Sequence, residues 1–351
     1  MKVVVIGATG NVGTSVVRGL SSDPGIADIV GVARRLPRLQ VEKLEWVEAD
    51  ITSDPLVPIL EGADAVIHLA WAIQPSRDSQ ALRATNVDGS ARVFDAVAKA
   101  RVSTLVYASS VGAYSAGPKD REVGEDWPRE GIETSFYSRH KAEVEGLLDA
   151  FELGEPAVRV VRLRPGLIFK REAATEIRRY FLGPFVPPHV FDRRALVAIP
   201  EIARLRFQAV HADDVAEAYR LALHNEDARG AFNIAANPVL DADALAAVLD
   251  ARRVGMSARV VRSLAAATWR ARLQPTPEGW MDMALGVPLM STERARSELG
   301  WTPRRSADET LLELLQGLRD SSGGETPPLD PRSSGRFRIR ELQTGVGARG
   351  F

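Results

Sequence analysis

The feature that most restricts the fold of this chain is its first strand-to-turn junction. After its first residue, Lys2–Ile6 is a continuous run of β-branched apolar residues, and Gly7-Ala8-Thr9-Gly10-Asn11-Val12-Gly13 follows it directly. A strand without polar alternation is predicted to be buried on both faces, which requires a parallel sheet covered by helices on either side. Glycine is needed where the backbone turns tightly and comes close to a pyrophosphate, whose charge is held by free amides at a helix N-terminus. Three glycines between a buried strand and a helix opening within the motif predict a dinucleotide-binding turn.

The rest of the first half continues this alternation. Helices are predicted over Val12–Leu20, Gln80–Ala100 and Phe136–Phe151, and strands over Asp28–Ala33, Glu45–Glu48, Ala65–Leu69, Thr104–Ser109 and Val158–Leu163. The expected fold class is α/β, a Rossmann-type doubly wound parallel sheet. The second half is less regular: a Pro- and aromatic-rich loop at Phe181–Pro188, then helices near Asp213–Leu223, Ala242–Arg252, Ser291–Leu299 and Ala307–Arg319. Residues 1–165 are read as the NAD(P)-binding domain, its sheet completed near 205–235, and 166–320 mainly as a smaller substrate-binding cap. Residues 321–351 carry SSGG, TPPLDP and RSSGR and are expected to form a disordered tail.

Composition removes several function classes. A formal net charge of -1 gives no field that would draw the chain to nucleic acid or an anionic membrane. With no cysteine, disulfides, thiol nucleophiles and thiolate metal sites are excluded, which fits a reducing cytoplasm. The apolar N-terminal run is too short for a signal peptide, and no stretch reaches the ~20 apolar residues of a membrane helix. No metal site is expected: the five histidines, His68, His140, His189, His211 and His224, show no HExxH or HxH spacing. His211-Ala212-Asp213-Asp214 is read instead as a helix N-terminus capped by its aspartates.

The end of the second strand bears on which dinucleotide is bound. NAD sites place an acid there for the ribose 2′-hydroxyl, whereas NADP sites use arginine for the 2′-phosphate. The chain reads Gly31-Val32-Ala33-Arg34-Arg35, with no acid and two guanidiniums, so NADP is the expected cofactor, NAD being the alternative.

Only one of the five tyrosines, Tyr137, has a lysine four residues on, Lys141. That spacing puts both on one helix face. A tyrosine with a pKa near ~10 is a poor acid-base group at neutral pH, and a neighbouring ammonium is expected to draw it down. Ser109-Ser110 closes the fifth strand at the carboxyl edge, where doubly wound sheets bind ligands.

With these motifs in place, the chain resembles the extended short-chain dehydrogenases/reductases, the superfamily of NAD(P)-dependent epimerases and dehydratases. The resemblance spans about residues 1–320. It rests on GATGNVG, Asp50-Ile51, His68-Leu69-Ala70, Asn86 in TNVDGS, YASSVGAY, YSRHK, Arg164-Pro165-Gly166 and VHADDVA. It implies that Ser110, Tyr137 and Lys141 are catalytic, with Tyr137 as acid-base and Lys141 also on the nicotinamide ribose. It implies cofactor contacts from Gly7, Thr9, Gly10, Asn11, Val12 and Gly13 around the pyrophosphate and Arg34 at the 2′-phosphate. Asp50 and Ile51 are implied at the adenine, and Leu69, Ala70, Asn86 and Ser109 along the cofactor. Pro165 and Gly166 are implied at the nicotinamide amide. By the same analogy a homodimer would form through the helix of Tyr137 and the long helix before the fifth strand.

Departures from the family pattern shape the expected reaction. Sugar-nucleotide members carry asparagine, glycine and arginine where this chain has Leu167, Lys170 and Phe207, with Arg204 and Arg206 only nearby. Dehydratases follow the catalytic hydroxyl with Asp-Glu, and here Val111-Gly112 follow Ser110. The reading is therefore an NADP-dependent oxidoreductase acting on a small carbonyl or alcohol. The alternatives are an NAD(P)-dependent epimerase and, in a different class, a non-catalytic NADP-sensing regulator, against which Tyr137 and Lys141 argue.

Overall fold

Val3, Val4 and Val5 are wholly buried, and successive residues of this strand face two different helix layers. At about 1.5–3 kcal/mol for each fully buried branched side chain, this one strand anchors both cores. The structure, a computed structural model, describes residues 1–183, 185–192 and 196–332.

Seven strands form the central sheet: β1 (Lys2–Ile6), β2 (Asp28–Ala33), β3 (Leu44–Glu48), β4 (Ala65–His68), β5 (Thr104–Ala108), β6 (Arg159–Pro165) and β7 (Gly230–Ile234). Their order is β7-β6-β5-β4-β1-β2-β3 and every neighbouring pair is parallel. Four helices cover it: α1 (Asn11–Ser21), α2 (Gly89–Lys99), α3 (Phe136–Gly154) and α4 (Ala212–His224). On one face Val16, Val17 and Leu20 of α1 meet Val215, Ala218 and Tyr219 of α4 over Val3 and Val5. On the other, Val93, Phe94 and Val97 of α2 and Val144 and Leu148 of α3 pack over Val4, Ile6 and Leu105. The strand order reverses between β1 and β4, and a crevice for a ligand opens at the carboxyl ends of the strands at such a switch point.

Outside the central sheet lie three small parallel pairs: Leu167–Phe169 with Ala209–His211, Ala198–Ile202 with Arg252–Met256, and Glu122–Val123 of the first half with Leu289–Met290 of the second. Two helices here, Ala258–Arg270 and Gly279–Gly286, have no counterpart in the sequence reading. Among the described residues no helix is long and apolar enough to cross a membrane.

Three local expectations differ from the structure for identifiable reasons. The helix read over Gln80–Ala100 is interrupted by a π-helical turn at Ala84–Asp88, which carries the wholly buried Asn86. The helix read to Arg252 stops at Leu249, where Asp250 takes a left-handed conformation (φ 53°) and the chain turns into a strand. The segment from Ser321, read as disordered tail, is packed as far as Leu329. Thr175 N donates to Ser322 O, Thr326 Oγ1 donates to Thr9 O at 2.7 Å, and Leu329 is buried. Residues 333–351 of that reading lie outside the described residues.

Candidate active site

The glycine loop is built by close backbone approach. Gly7 has φ +87° and donates its N–H to Val32 O, tying β1 to the end of β2. A methyl on Gly7 would lie 2.6 Å from Ala70 N, and one on Gly13 would lie 2.3 Å from Gly7 O. Gly10 is the N-cap of α1 and supplies no side-chain cap, so the first-turn amides of the helix face the crevice. A methyl on Gly10 would meet nothing nearer than Gly7 O at 3.8 Å and would project into that space. The cradle therefore fits a pyrophosphate.

Around it runs a cleft lined by Gly7, Thr9 and Gly10, by Arg34 and Arg35 after β2, by Ile51, and by Leu69, Ala70 and Trp71 after β4. Burial, then the charges of Arg34 and Arg179, hold the Arg35 guanidinium below its ordinary pKa. Three like charges thus crowd one corner, an arrangement that a phosphate dianion relieves.

Several residues assigned to the cofactor from sequence are committed elsewhere. Asn86 accepts from Ala72 N at 2.7 Å and donates to Ala72 O at 2.8 Å, so both ends of its amide brace the loop after β4. Ser109 donates to Glu145 at 2.5 Å inside the protein. Asp50 accepts from Thr52 N and Thr52 Oγ1, capping its own turn. Asn11 donates its side-chain amide to Ile168 O. A methyl on Gly166 would lie 2.5 Å from Gln208 O, so packing against that backbone accounts for this glycine, one residue past Pro165 at the end of β6. Val12 enters the first turn of α1 beside Gly13.

The catalytic candidates lie at the same edge of the sheet. Ser110 follows β5 and accepts from Gly112 N at 3.0 Å; its hydroxyl also lies near enough to Tyr137 to lower the pKa of that phenol. Tyr137 stands in the first turn of α3, which is N-capped by Ser135. Its ring lies against Trp71 (centroids 5.8 Å) and Trp280 (5.0 Å), and Phe181 meets Trp280 edge-on at 4.9 Å. Gly112 allows this, since a methyl there would sit 2.9 Å from the Tyr137 ring. Lys141 is buried, donates to Ala108 O at 2.6 Å and places Nζ 3.5 Å from the Trp71 ring centre.

The electrostatics differ from expectation. Burial raises the Tyr137 pKa, partly offset by Ser110, and burial drives that of Lys141 well down. The ammonium faces Ala108 O and Trp71 rather than the Tyr137 hydroxyl, so without a bound cofactor Tyr137 is a protonated acid.

Beneath the site lies a charge network that the sequence reading did not find. Glu145 of α3 is wholly buried and takes two bonds from Arg164, at 2.7 and 2.6 Å, besides that from Ser109. Burial alone would raise its carboxyl, but Arg164 and Ser109 outweigh that and hold it below its usual value. Trp71 and Trp280 were also missed; Trp71 directly follows the Leu69-Ala70 motif and could have been read with it. Glu176, Tyr180, Pro327 and Pro328 line the cleft with no motif to mark them.

Two further readings are settled by the contacts. The helix of His211–Asp214 is capped by His211, whose Nδ1 accepts from Asp213 N, and not by the aspartates. Asp214 instead accepts from Arg304 N and Arg305 N. Lys170 is buried and donates to Asn11 O, Thr14 Oγ1 and Ser15 Oγ, tying the small sheet to α1. Arg204 and Arg206 donate to the carbonyls of Gly117 and Lys119. Phe207 pairs with Leu240 by backbone hydrogen bonds.

Comparison with known proteins places this geometry in a family. Residues 3–235 match the NAD dependent epimerase/dehydratase family. An uncharacterized protein of Mycobacterium tuberculosis is 25% identical over 325 residues, 92% of this chain; the chain spans only 31% of that relative's length. Vestitone reductase of Medicago sativa is 28% identical over 261 residues, 66% of this chain and 76% of the reductase. The structure of MoeE5 in complex with UDP-glucose and NAD superposes with a TM-score of 0.68 over 92% of this chain and 99% of that one, at 23% identity.

Proposed function

The chain belongs to the NAD-dependent epimerase/dehydratase family, and on that premise we propose that it is an NADP-dependent oxidoreductase acting on a small, largely apolar carbonyl or alcohol. It is an NAD(P)-dependent enzyme of the extended short-chain dehydrogenase/reductase type. The observation that carries the finer reading is the Tyr137 ring walled by Trp71 and Trp280, with Ser110 close by, beside a cleft whose rim bears Arg34 and Arg35.

A nicotinamide cofactor, when bound, supplies or accepts the hydride. Tyr137 Oη gives its proton to the substrate oxygen in reduction and recovers it in oxidation. Ser110 Oγ hydrogen-bonds the same oxygen and orients it. Lys141, buried with its ammonium on Ala108 O and the Trp71 ring, would hold the nicotinamide ribose. The aromatic walls exclude water and favour apolar substrates. Arg204 and Arg206 are engaged with backbone carbonyls, which supports an apolar substrate over a nucleoside diphosphate. Vestitone reductase among the relatives is in keeping with a reductase.

Deuterium transfer tests this reading. NADPH deuterated at the nicotinamide 4-position is incubated with the enzyme and a panel of small apolar ketones. The expected product is an alcohol with one deuterium on its carbinol carbon, read by mass spectrometry. A tightly held nucleotide that never exchanges and passes no deuterium to product would replace this reading with an epimerase.

A further inference from the structure

Glu176 lies in the short helix Ala174–Ile177, only 7% exposed, and lines the dinucleotide cleft together with Gly7 and Gly10. Its carboxylate lies near enough to the backbone N–H of Asn11, the first amide of α1 after the Gly10 cap, for that amide to favour its ionised form. That amide is among those an uncapped helix N-terminus offers to a pyrophosphate. A buried side-chain carboxylate of this chain therefore stands beside an anion position of the cofactor cradle.

The groups facing Glu176 come from several elements. Arg179 and Tyr180 stand on the following turn, and both favour the ionised carboxylate. Lys170 approaches from the end of the preceding strand and Asn11 from α1; Arg34 and Arg35 line the cleft from the end of β2. The segment Thr326–Pro328 closes over the same loop, Thr326 on Thr9 O and the Arg179 guanidinium on Pro328 O.

We propose that Glu176 competes with the dinucleotide pyrophosphate for the amides of the glycine loop, so that the cofactor binds to the form of the protein in which Glu176 carries a proton. The inference rests on the dinucleotide reading of this cleft. Two phosphate charges beside an ionised buried carboxylate repel it in a site of low dielectric. Adding a proton to Glu176 removes that repulsion and frees the amide. Burial, outweighing Arg179, the Tyr180 hydroxyl, Lys170 and the Asn11 amide, raises the Glu176 carboxyl to about 7 in the free protein. The sign follows: below that pH Glu176 is already neutral and affinity is level. Above it affinity falls by about tenfold per pH unit, and each dinucleotide bound takes up one proton.

Titration calorimetry of the full chain with NADPH at pH 8, in two buffers of different ionisation enthalpy, counts those protons. Close to one proton per nucleotide is expected for the wild type and none for Glu176→Gln. The variant is expected to bind about tenfold more tightly than wild type at pH 8 and nearly equally at pH 6. Comparison at one pH cancels the titration of the 2′-phosphate itself. Wild-type binding without proton uptake, or a variant of unchanged affinity at pH 8, would overturn the proposal while leaving the dinucleotide reading in place. Failure of both proteins to bind NADPH would overturn both. If the variant does not fold, the wild-type proton count decides alone.

Discussion

Tyr137→Phe is expected to lower kcat by roughly two to four orders of magnitude, the range of a positioned general acid, with nucleotide affinity nearly unchanged. Phenylalanine keeps the ring against Trp71, Trp280 and Gly112 and removes only the hydroxyl near Ser110. The fold and the cleft should therefore survive, and the loss should fall on the chemical step. Because burial raises the Tyr137 pKa, wild-type alcohol oxidation, which needs the phenolate, should climb with pH through the alkaline range, whereas reduction stays level near neutrality. The variant should lose that climb. Single-turnover rates for both directions from pH 6 to 10 provide the check, and full turnover by the variant would remove Tyr137 from the mechanism.

Glu145→Ala should be the most destabilising single change at the site, by about 3–5 kcal/mol, the usual cost of breaking a buried ion pair from one side. The Arg164 guanidinium would lose both its bonds to the carboxylate, Ser109 would lose its acceptor, and Arg162 would lose a charge 3.5 Å away. Arg164 keeps bonds to Tyr114 Oη and Glu125 O, which cannot balance its charge. The effect reaches function because α3, which carries Glu145, also carries Tyr137 and Lys141. The pH dependence has a definite sign. Glu145 is held below its unfolded pKa, so its contribution is present above the ordinary glutamate range and is lost as pH falls through the folded value. Urea unfolding at pH 7 and at pH 4 measures this: the gap between wild type and variant should shrink on acidification.

What the sequence revealed of this site was whatever local chemistry dictates. The glycine loop was readable because a buried strand followed by three spaced glycines admits few other geometries, and Tyr137 with Lys141 because helical spacing fixes their common face. The sheet followed from apolar strands such as Lys2–Ile6 and Ala65–His68, whose residues are buried on both faces. Positions that depend on long-range partners were not readable. Asn86 was placed on the cofactor, but a π-helical turn points its amide at Ala72. Ser109 likewise has a distant partner inside the protein, Glu145. Trp280 reaches Tyr137 from a helix 143 positions away in number (280 against 137), which no periodicity encodes. The Ser-, Gly- and Pro-rich segment after Ser321 was dismissed on composition, yet Thr326 and Leu329 give it a hydrogen bond to the glycine loop and a buried anchor.

The central claim is that the cleft between β1 and β4 binds NADP through the glycine loop and Arg34. Titration calorimetry with NADPH and NADH, on the wild type and on Arg34→Ala, tests it most directly. The account predicts clear preference for NADPH in the wild type, with that preference lost in the variant while NADH affinity is kept. Equal binding of the two nucleotides by the wild type, or a preference that survives the loss of Arg34, would contradict it.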